Sequence, residues 1–503
     1  MADIKETDSL ASGITYQYAY FATLALAGAV FYIYVIRVFP PSVVGSVAVL
    51  LAILSLFPSI FSLGLQGGWQ HFISYELGKG NDDNIKAITG KAIGIGLLLC
   101  AASIVALLLT ARPLTYVFFH SYSYLYFVYL LAPAIPLSMM AQYFNGILLG
   151  LQRFKMSGII GMVSTFAVYG TSSIGLLVIH SIYVIPIGWS LGFLFGAVLY
   201  YSEIRKRTVA LRSVVFDIKP VFSYSLPLYI ASLVGYGATY VDRLTVAYLK
   251  NLTSIGIYNL ALLIAGGTVM LSSPLGGIVF SKLSEFHGRN DTEMMREGVR
   301  MSINAASVIY VPAALGLTVI SVPVIRLIGG SGYLQGVLPL SIMLVISAIL
   351  VIGGPVGTAL QGTRRTRVFI LSTSLGLISN LILSFSLIPY LSLIGAAIAY
   401  ESTALMSFVV FYYFAKKAGI VRFDRRFLPR LWLSSVSMAA AVYGLAYISA
   451  FRPLFIPAYI MVGAILYFGM LRITSALTET DKAILASLVP QKMHFIKKLI
   501  LLF

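Results

Sequence analysis

Two residues of opposite charge stand side by side in a stretch that is otherwise mostly apolar. They are Asp242 and Arg243 in GATYVDRLTVAYLKNLTSIGIYNLALL, Gly237 to Leu263. A guanidinium in such a setting can hold a phosphate through planar, often bidentate hydrogen bonds. The carboxylate next to it can tune that charge or take a coupling ion. A second carboxylate, Glu401, lies in GAAIAYESTALMS. An unpaired charge is costly to bury there, so this carboxyl suits a group that takes up and releases a proton. Gln17, Gln142, Asn145, Asn304 and Asn380 also fall in apolar runs and carry side-chain amides that can bond the hydroxyls of a ligand. Tyr16, Tyr18 and Tyr20 offer rings that can stack on a ligand.

Each of these residues also has a plainer use. Arg243 stands about five residues before the end of its apolar run, close enough to reach headgroups or to lock the fold through an ion pair. Adjacent helical residues diverge by about 100°, so Asp242 and Arg243 are expected to have separate partners. Thr239 and Thr245 are within reach of Asp242, and Ser402, Thr403 or a neighbouring helix within reach of Glu401. The amides can serve as glue between helices, and tyrosines near span ends as interface anchors. The five histidines, at 71, 120, 180, 287 and 494, show no metal-ligand spacing. No metal and no cofactor is expected.

The elements that must position these residues are membrane helices. Of 503 residues, 59% are hydrophobic and 10% charged, with a mean hydropathy of +0.92. A soluble domain carries about 25% charged residues, so the chain reads as a polytopic membrane protein, all α. Fourteen spans are predicted, at roughly 14–36, 43–65, 87–110, 124–148, 156–179, 182–201, 221–248, 254–280, 298–322, 337–360, 368–389, 392–415, 431–449 and 454–472. The start, MADIKETDSLASG, lacks the basic region of a cleaved signal peptide, so the first span is expected to be retained. Cys100, the one cysteine, falls in an apolar run and reads as an inert buried thiol.

The net charge of +18 follows the spans rather than a nucleic-acid surface. With both ends in the cytoplasm, 29 of the 35 Lys and Arg fall to the inner side. Arg37, Arg112, Lys250, Arg326 and Arg452 fall outside, and Arg243 lies within the membrane. Asp242 and Glu401 are the two carboxylates not assigned to cytoplasmic segments. The expected location is the plasma membrane, multi-pass, with both termini cytoplasmic.

The first six spans also resemble the next six. Gly45 answers Gly256, Gly150 answers Gly362, and Tyr200-Tyr201 answers Tyr412-Tyr413, at offsets of 211 or 212 residues. An even number of spans per copy makes the copies parallel, related by an axis along the membrane normal. The expected domains are an N-terminal lobe over 1–206, a C-terminal lobe over 207–417, and two last spans with an amphipathic cytoplasmic tail over 418–503.

Several motifs carry a likeness over about residues 10–475. DRLTVAYLKNLTSIGIYNLALL, SSPLGGIVFSKLSEFHGRNDTEMMREG, LQGTRRTR and LSLIGAAIAYESTAL resemble segments of the polysaccharide-type flippases. That family is a branch of the MOP superfamily, which also holds the MATE exporters. The resemblance implies a flippase that moves a polyprenyl-(pyro)phosphate-linked oligosaccharide from the inner to the outer leaflet, with alternating access between lobes. Arg243, Asp242, Gln17, Gln142, Asn145 and Asn380 are then the substrate-binding candidates, and Glu401 and Asp242 the coupling candidates for a proton or Na+. Partners would be the lipid-linked oligosaccharide and membrane lipids. The alternative is a MATE-type cation-coupled drug exporter, which would favour acids over an arginine. A membrane enzyme would need catalytic groups in outer loops, and those loops are short and hold no carboxylate.

Overall fold

The protein is described from a computed structural model that covers residues 10–208, 217–269, 283, 291–363, 367–424 and 426–474. Among these residues fourteen helices are long and apolar enough to cross a membrane. Most of the SSPLGG motif before Asp291, part of LQGTRRTR and the C-terminal tail lie outside the described residues. Lipid rather than water explains the outer faces, where Leu109, Val178 and Ile448 are among many exposed large apolar side chains.

The chain divides into two compact units, Met1–Tyr240 with Asn251–Thr253, and Val241–Lys250 with Ser254–Phe503. In the first unit the helices are α1 (Leu10–Val38), α2 (Pro41–Phe61), α3 (Leu65–Gly78), α4 (Asp82–Phe119), α5 (Leu125–Tyr129), α6 (Leu131–Gly150), α7 (Phe154–Ile179) and α8 (Val184–Thr208). The helix α9 (Lys219–Leu249) belongs to this unit as far as Tyr240. α7 and α8 form a hairpin, α1 packs on α7, and α6 packs on α3, α4 and α8.

The α7–α8 contact is set by small residues. Gly188, Gly192 and Gly196 recur every four residues, which puts them on one face of α8. A Cβ at each would run into Ser172, Val168 and Ser164 of α7. Close approach of this kind substitutes for the hydrophobic effect, which gives no drive between helices in lipid.

The predicted second span, 43–65, is found at Pro41–Phe61, four residues short of its expected end. α2 ends at Phe61, and Leu63 and Gly64 take left-handed backbone at φ 49° and 66° before α3 begins. Gly64 is required on a second count, since a Cβ there would lie 2.6 Å from the Ser225 carbonyl oxygen of α9. The re-aimed chain gives a separate α3 bearing Gln66 and Gln70.

In the second unit the helices after α9 are α10 (Leu252–Val269), α11 (Thr292–Val319), α12 (Ser321–Gly329), α13 (Val337–Leu350), α14 (Gly353–Gly362), α15 (Arg367–Leu391), α16 (Leu393–Lys417), α17 (Phe427–Ile448) and α18 (Ile456–Ile473). α15 and α16 form a hairpin, α13 packs on α11 and α16, and α17 packs on α11 and α18. One apolar core joins Val311, Leu431, Val442, Tyr459 and Leu471. A second joins Val299, Ile303, Val356, Leu360 and Val410. The predicted tenth span, 337–360, also breaks, at Val351–Ile352, ahead of the pair Gly353-Gly354 that opens α14. The short helix α12 was not expected from the sequence.

Helix starts echo the offsets between the two halves. α2 and α10 begin 211 residues apart, at Pro41 and Leu252, and α4 and α11 begin 210 apart, at Asp82 and Thr292. Their N-caps correspond as well. Asn81 accepts from the Asn84 N–H and Asp291 from the Met294 N–H, each three residues on.

Candidate functional site

Unit 1 holds a cavity of about 750 Å³. Helices α1, α2, α3, α6, α7, α8 and the first part of α9 contribute to it. Among the described residues that line it, none is charged. Its polar wall consists of hydroxyls and four carboxamides, Gln66, Gln70, Gln142 and Asn145. Tyr20, Tyr169 and Tyr200 add aromatic surface.

Position along the helices puts the amides here. Gln66 and Gln70 are four residues apart on α3, and Gln142 and Asn145 three apart on α6, so each pair shares a helix face. Gly146 of α6 lets the two helices approach, because a Cβ there would lie 2.7 Å from the Gln66 carbonyl oxygen. The serines are mostly turned back on their own helices: Ser59 donates to Ser55 O at 2.8 Å and Ser138 to Ile135 O at 2.7 Å. Their lone pairs remain as acceptors.

Gln17 bonds a neighbouring helix. Its Nε2 donates to Phe154 O at 2.9 Å and to Ser157 Oγ at 3.0 Å, both on α7. Ser157 Oγ in turn donates to Asn145 Oδ1 at 2.5 Å. A relay from α1 through α7 to α6 therefore fixes the acceptor end of Asn145 and leaves its NH₂ as the group available to a ligand. Gln17 is not part of the cavity wall; it braces one residue that is. Of the three tyrosines near it, Tyr20 lines the cavity, Tyr18 is exposed, and the Tyr16 ring has the Lys155 ammonium 5.5 Å from its centroid.

Unit 2 holds both carboxylates singled out in the sequence, and both are buried. Asp242 Oδ2 accepts from the Tyr258 hydroxyl of α10 at 2.5 Å. That hydroxyl also lies 3.2 Å from Ala396 O of α16, so three helices meet at one phenol. Thr239 and Thr245 bond backbone carbonyls of their own helix instead. Tyr258 was not singled out in the sequence; its only signal was a place sixteen residues after Asp242, in the next span. Arg243 is half-buried, and α9 runs six residues past it to Leu249, about 9 Å of rise.

Glu401 Oε1 accepts from Ser347 Oγ of α13 at 2.9 Å. Oε2 is buried and has no hydrogen-bond partner among the described residues. Ser402 and Thr403 bond backbone carbonyls rather than Glu401. Tyr400 has Glu401, Asp242, Arg243 and Tyr310 as electrostatic neighbours, which ties the two acidic sites to one region of unit 2. Asn380 is fully buried on α15, where its Oδ1 accepts from Ser384 Oγ one turn on, at 3.0 Å. Asn304 is buried on α11. The structure thus brings Gln142 and Asn145 to one cavity with Gln17 behind them. It holds Asp242, Arg243, Glu401 and Asn380 in the other unit.

Residues 10–286 match the family described as polysaccharide biosynthesis protein. Two curated relatives come from Haloferax volcanii. The "probable low-salt glycan biosynthesis flippase Agl15" is 22% identical over 278 residues, which cover 54% of this chain and 58% of that protein. The "probable flippase AglR" is 22% identical over 305 residues, 57% of this chain and 64% of that protein. The chain therefore spans about three fifths of the length of these two relatives. Among solved structures, the lipid II flippase MurJ in an inward closed conformation superposes with a TM-score of 0.73 at 17% identity, over 92% of this chain and 98% of that one. An inward-facing multidrug-resistance MATE transporter of the MOP superfamily superposes at 0.68 and 12% identity, over 79% and 95%. These identities show a shared fold. With more than half of its residues matched to one family, the chain belongs to the polysaccharide biosynthesis protein family.

Proposed function

We propose that the chain is a flippase that carries a polyprenyl-linked oligosaccharide from the inner to the outer leaflet of the plasma membrane, for assembly of a surface glycan. The observation that carries this reading is the cavity of unit 1, a charge-free wall of hydroxyls and carboxamides among apolar membrane helices. A sugar headgroup loses its water on entering hydrocarbon, and each unmet hydroxyl there costs free energy. A wall that offers donors and acceptors replaces that water, while a polyprenyl tail stays in lipid. No bond is made or broken, so the reading is a transporter and not an enzyme. The relatives named as flippases support it.

Two lobes that rock about their interface provide access from each side in turn. Arg243 is the proposed phosphate contact, with Asp242 beside it. Asp242 and Glu401 are the proposed coupling carboxylates, since each is buried with one oxygen held by a single hydroxyl. Both termini face the cytoplasm in this reading.

The test is thermal stability of the purified full chain with a polyprenyl-pyrophosphate oligosaccharide and, separately, with cationic drugs. Stabilisation by the anionic lipid alone is expected, and its loss in Arg243→Ala would assign the phosphate contact. A response confined to the drugs would overturn the flippase reading.

A further inference from the structure

The cavity wall is informative for what it omits as well as for what it carries. The side-chain amides of Gln66, Gln70 and Gln142 make no hydrogen bond to any described residue. Asn145 has only its oxygen engaged, by Ser157. Four carboxamides thus face one space with most of their bonding capacity unspent. A carboxamide carries two donors and an acceptor with two lone pairs, so it can meet a hydroxyl, or the amide of an acetamido sugar, from either side. Tyr20 and Tyr169 also line the cavity and add aromatic surface to it. The volume of about 750 Å³ lies within the range of small-ligand sites, about 300–1,000 Å³, and is ample for a short saccharide.

An anionic sugar fits this wall poorly. A uronic acid or a sulfated residue would bring a charge into a space where no described lining residue is basic. Desolvating that charge with only neutral dipoles in return is unfavourable. We infer that the unit 1 cavity is a subsite for one or two uncharged sugar residues of the headgroup, held by Gln66, Gln70, Gln142 and Asn145, and that it discriminates against anionic sugars. Gln17 acts as a positioning residue through the relay to Asn145. This inference rests on the proposed lipid-linked substrate and narrows its sugar.

The experiment measures binding of three lipids to the full chain in nanodiscs. They are bare polyprenyl pyrophosphate, the same lipid carrying a neutral disaccharide, and the same lipid carrying a disaccharide that ends in a uronic acid. The neutral glycolipid should bind at least about tenfold tighter than the uronic one, one hydrogen-bonding site's worth of discrimination. Gln142→Ala should weaken the neutral glycolipid and leave the bare lipid unchanged. Gln142→Lys places a cation on the wall and should narrow or reverse the preference; as a gain of binding, it cannot be mistaken for misfolding. Equal binding of the two glycolipids to the wild type overturns the subsite while leaving the lipid-linked substrate standing. A neutral preference unaltered in Gln142→Lys and in Gln66→Ala likewise overturns it. Binding of none of the three lipids overturns the proposed function and the subsite with it.

Discussion

Asp242 is fully buried, and the hydroxyl of Tyr258 is the side chain that answers it. Tyr258→Phe keeps the ring and removes that donor, leaving a buried carboxyl with less to hold it. The expected loss is about 1–3 kcal/mol, read as a lower melting temperature in detergent. Glu401→Gln is a different kind of change. Ser347 can still donate to the amide oxygen, so stability should change little. If Glu401 carries the coupling proton, transport by the variant in proteoliposomes should lose its response to a pH gradient, and a response equal to wild type would remove Glu401 from that role. The acids were visible in the sequence because a charge in an apolar run stands out. Tyr258 was not, being one of 32 tyrosines. Gln66 and Gln70 were hidden for another reason: a turn after an apolar run reads as loop, and only the left-handed step at Leu63-Gly64 turns it into a helix facing a cavity.

At the scale of elements, length and hydropathy were enough to place fourteen spans, because a membrane helix needs no pattern beyond a long apolar run. Breaks inside such runs were not legible, since Gly and Pro are tolerated in membrane helices without ending them. Partner choice was hidden too, for it depends on shape. Gly192→Val should show this: its side chain would meet the backbone of Val168, and the strain should cost about 1–3 kcal/mol in thermal stability. Outside the membrane, charge does what shape does within it. Arg300 of α11 bonds Glu297 at 2.5 Å and Asp424 at 2.9 Å, and Arg422 bonds Glu293 at 2.8 Å, so α11 is tied to the segment between α16 and α17. Partial burial would raise the carboxyl of Asp424, but the Phe427 and Arg426 N–H groups and Arg300 outweigh it and hold it below the usual aspartate range. The stability it contributes is therefore present above about pH 4, the unfolded value, and is lost as pH falls through the lower folded one. Melting curves of Asp424→Asn should fall less steeply with acid than those of the wild type.

For the whole molecule, the distribution of Lys and Arg predicts an orientation that can be tested chemically. In a Cys100→Ser background, Lys417→Cys at the end of α16 should react with an impermeant thiol reagent from the cytoplasmic side. Arg452→Cys, beyond α17, should react from the other side. Labelling of both from one side would refute the assigned topology. The absence of charged residues from the described cavity wall has a further consequence, which is electrical. Moving one elementary charge across the membrane potential changes the energy by about 2.3 kcal/mol per 100 mV. A wall without charge carries none of that work, however it turns within the field. If the chain transports as proposed, its voltage dependence then reports the phosphates of the cargo and the charged groups of unit 2, Arg243 with the two carboxylates, and a neutral sugar adds nothing to the gating charge.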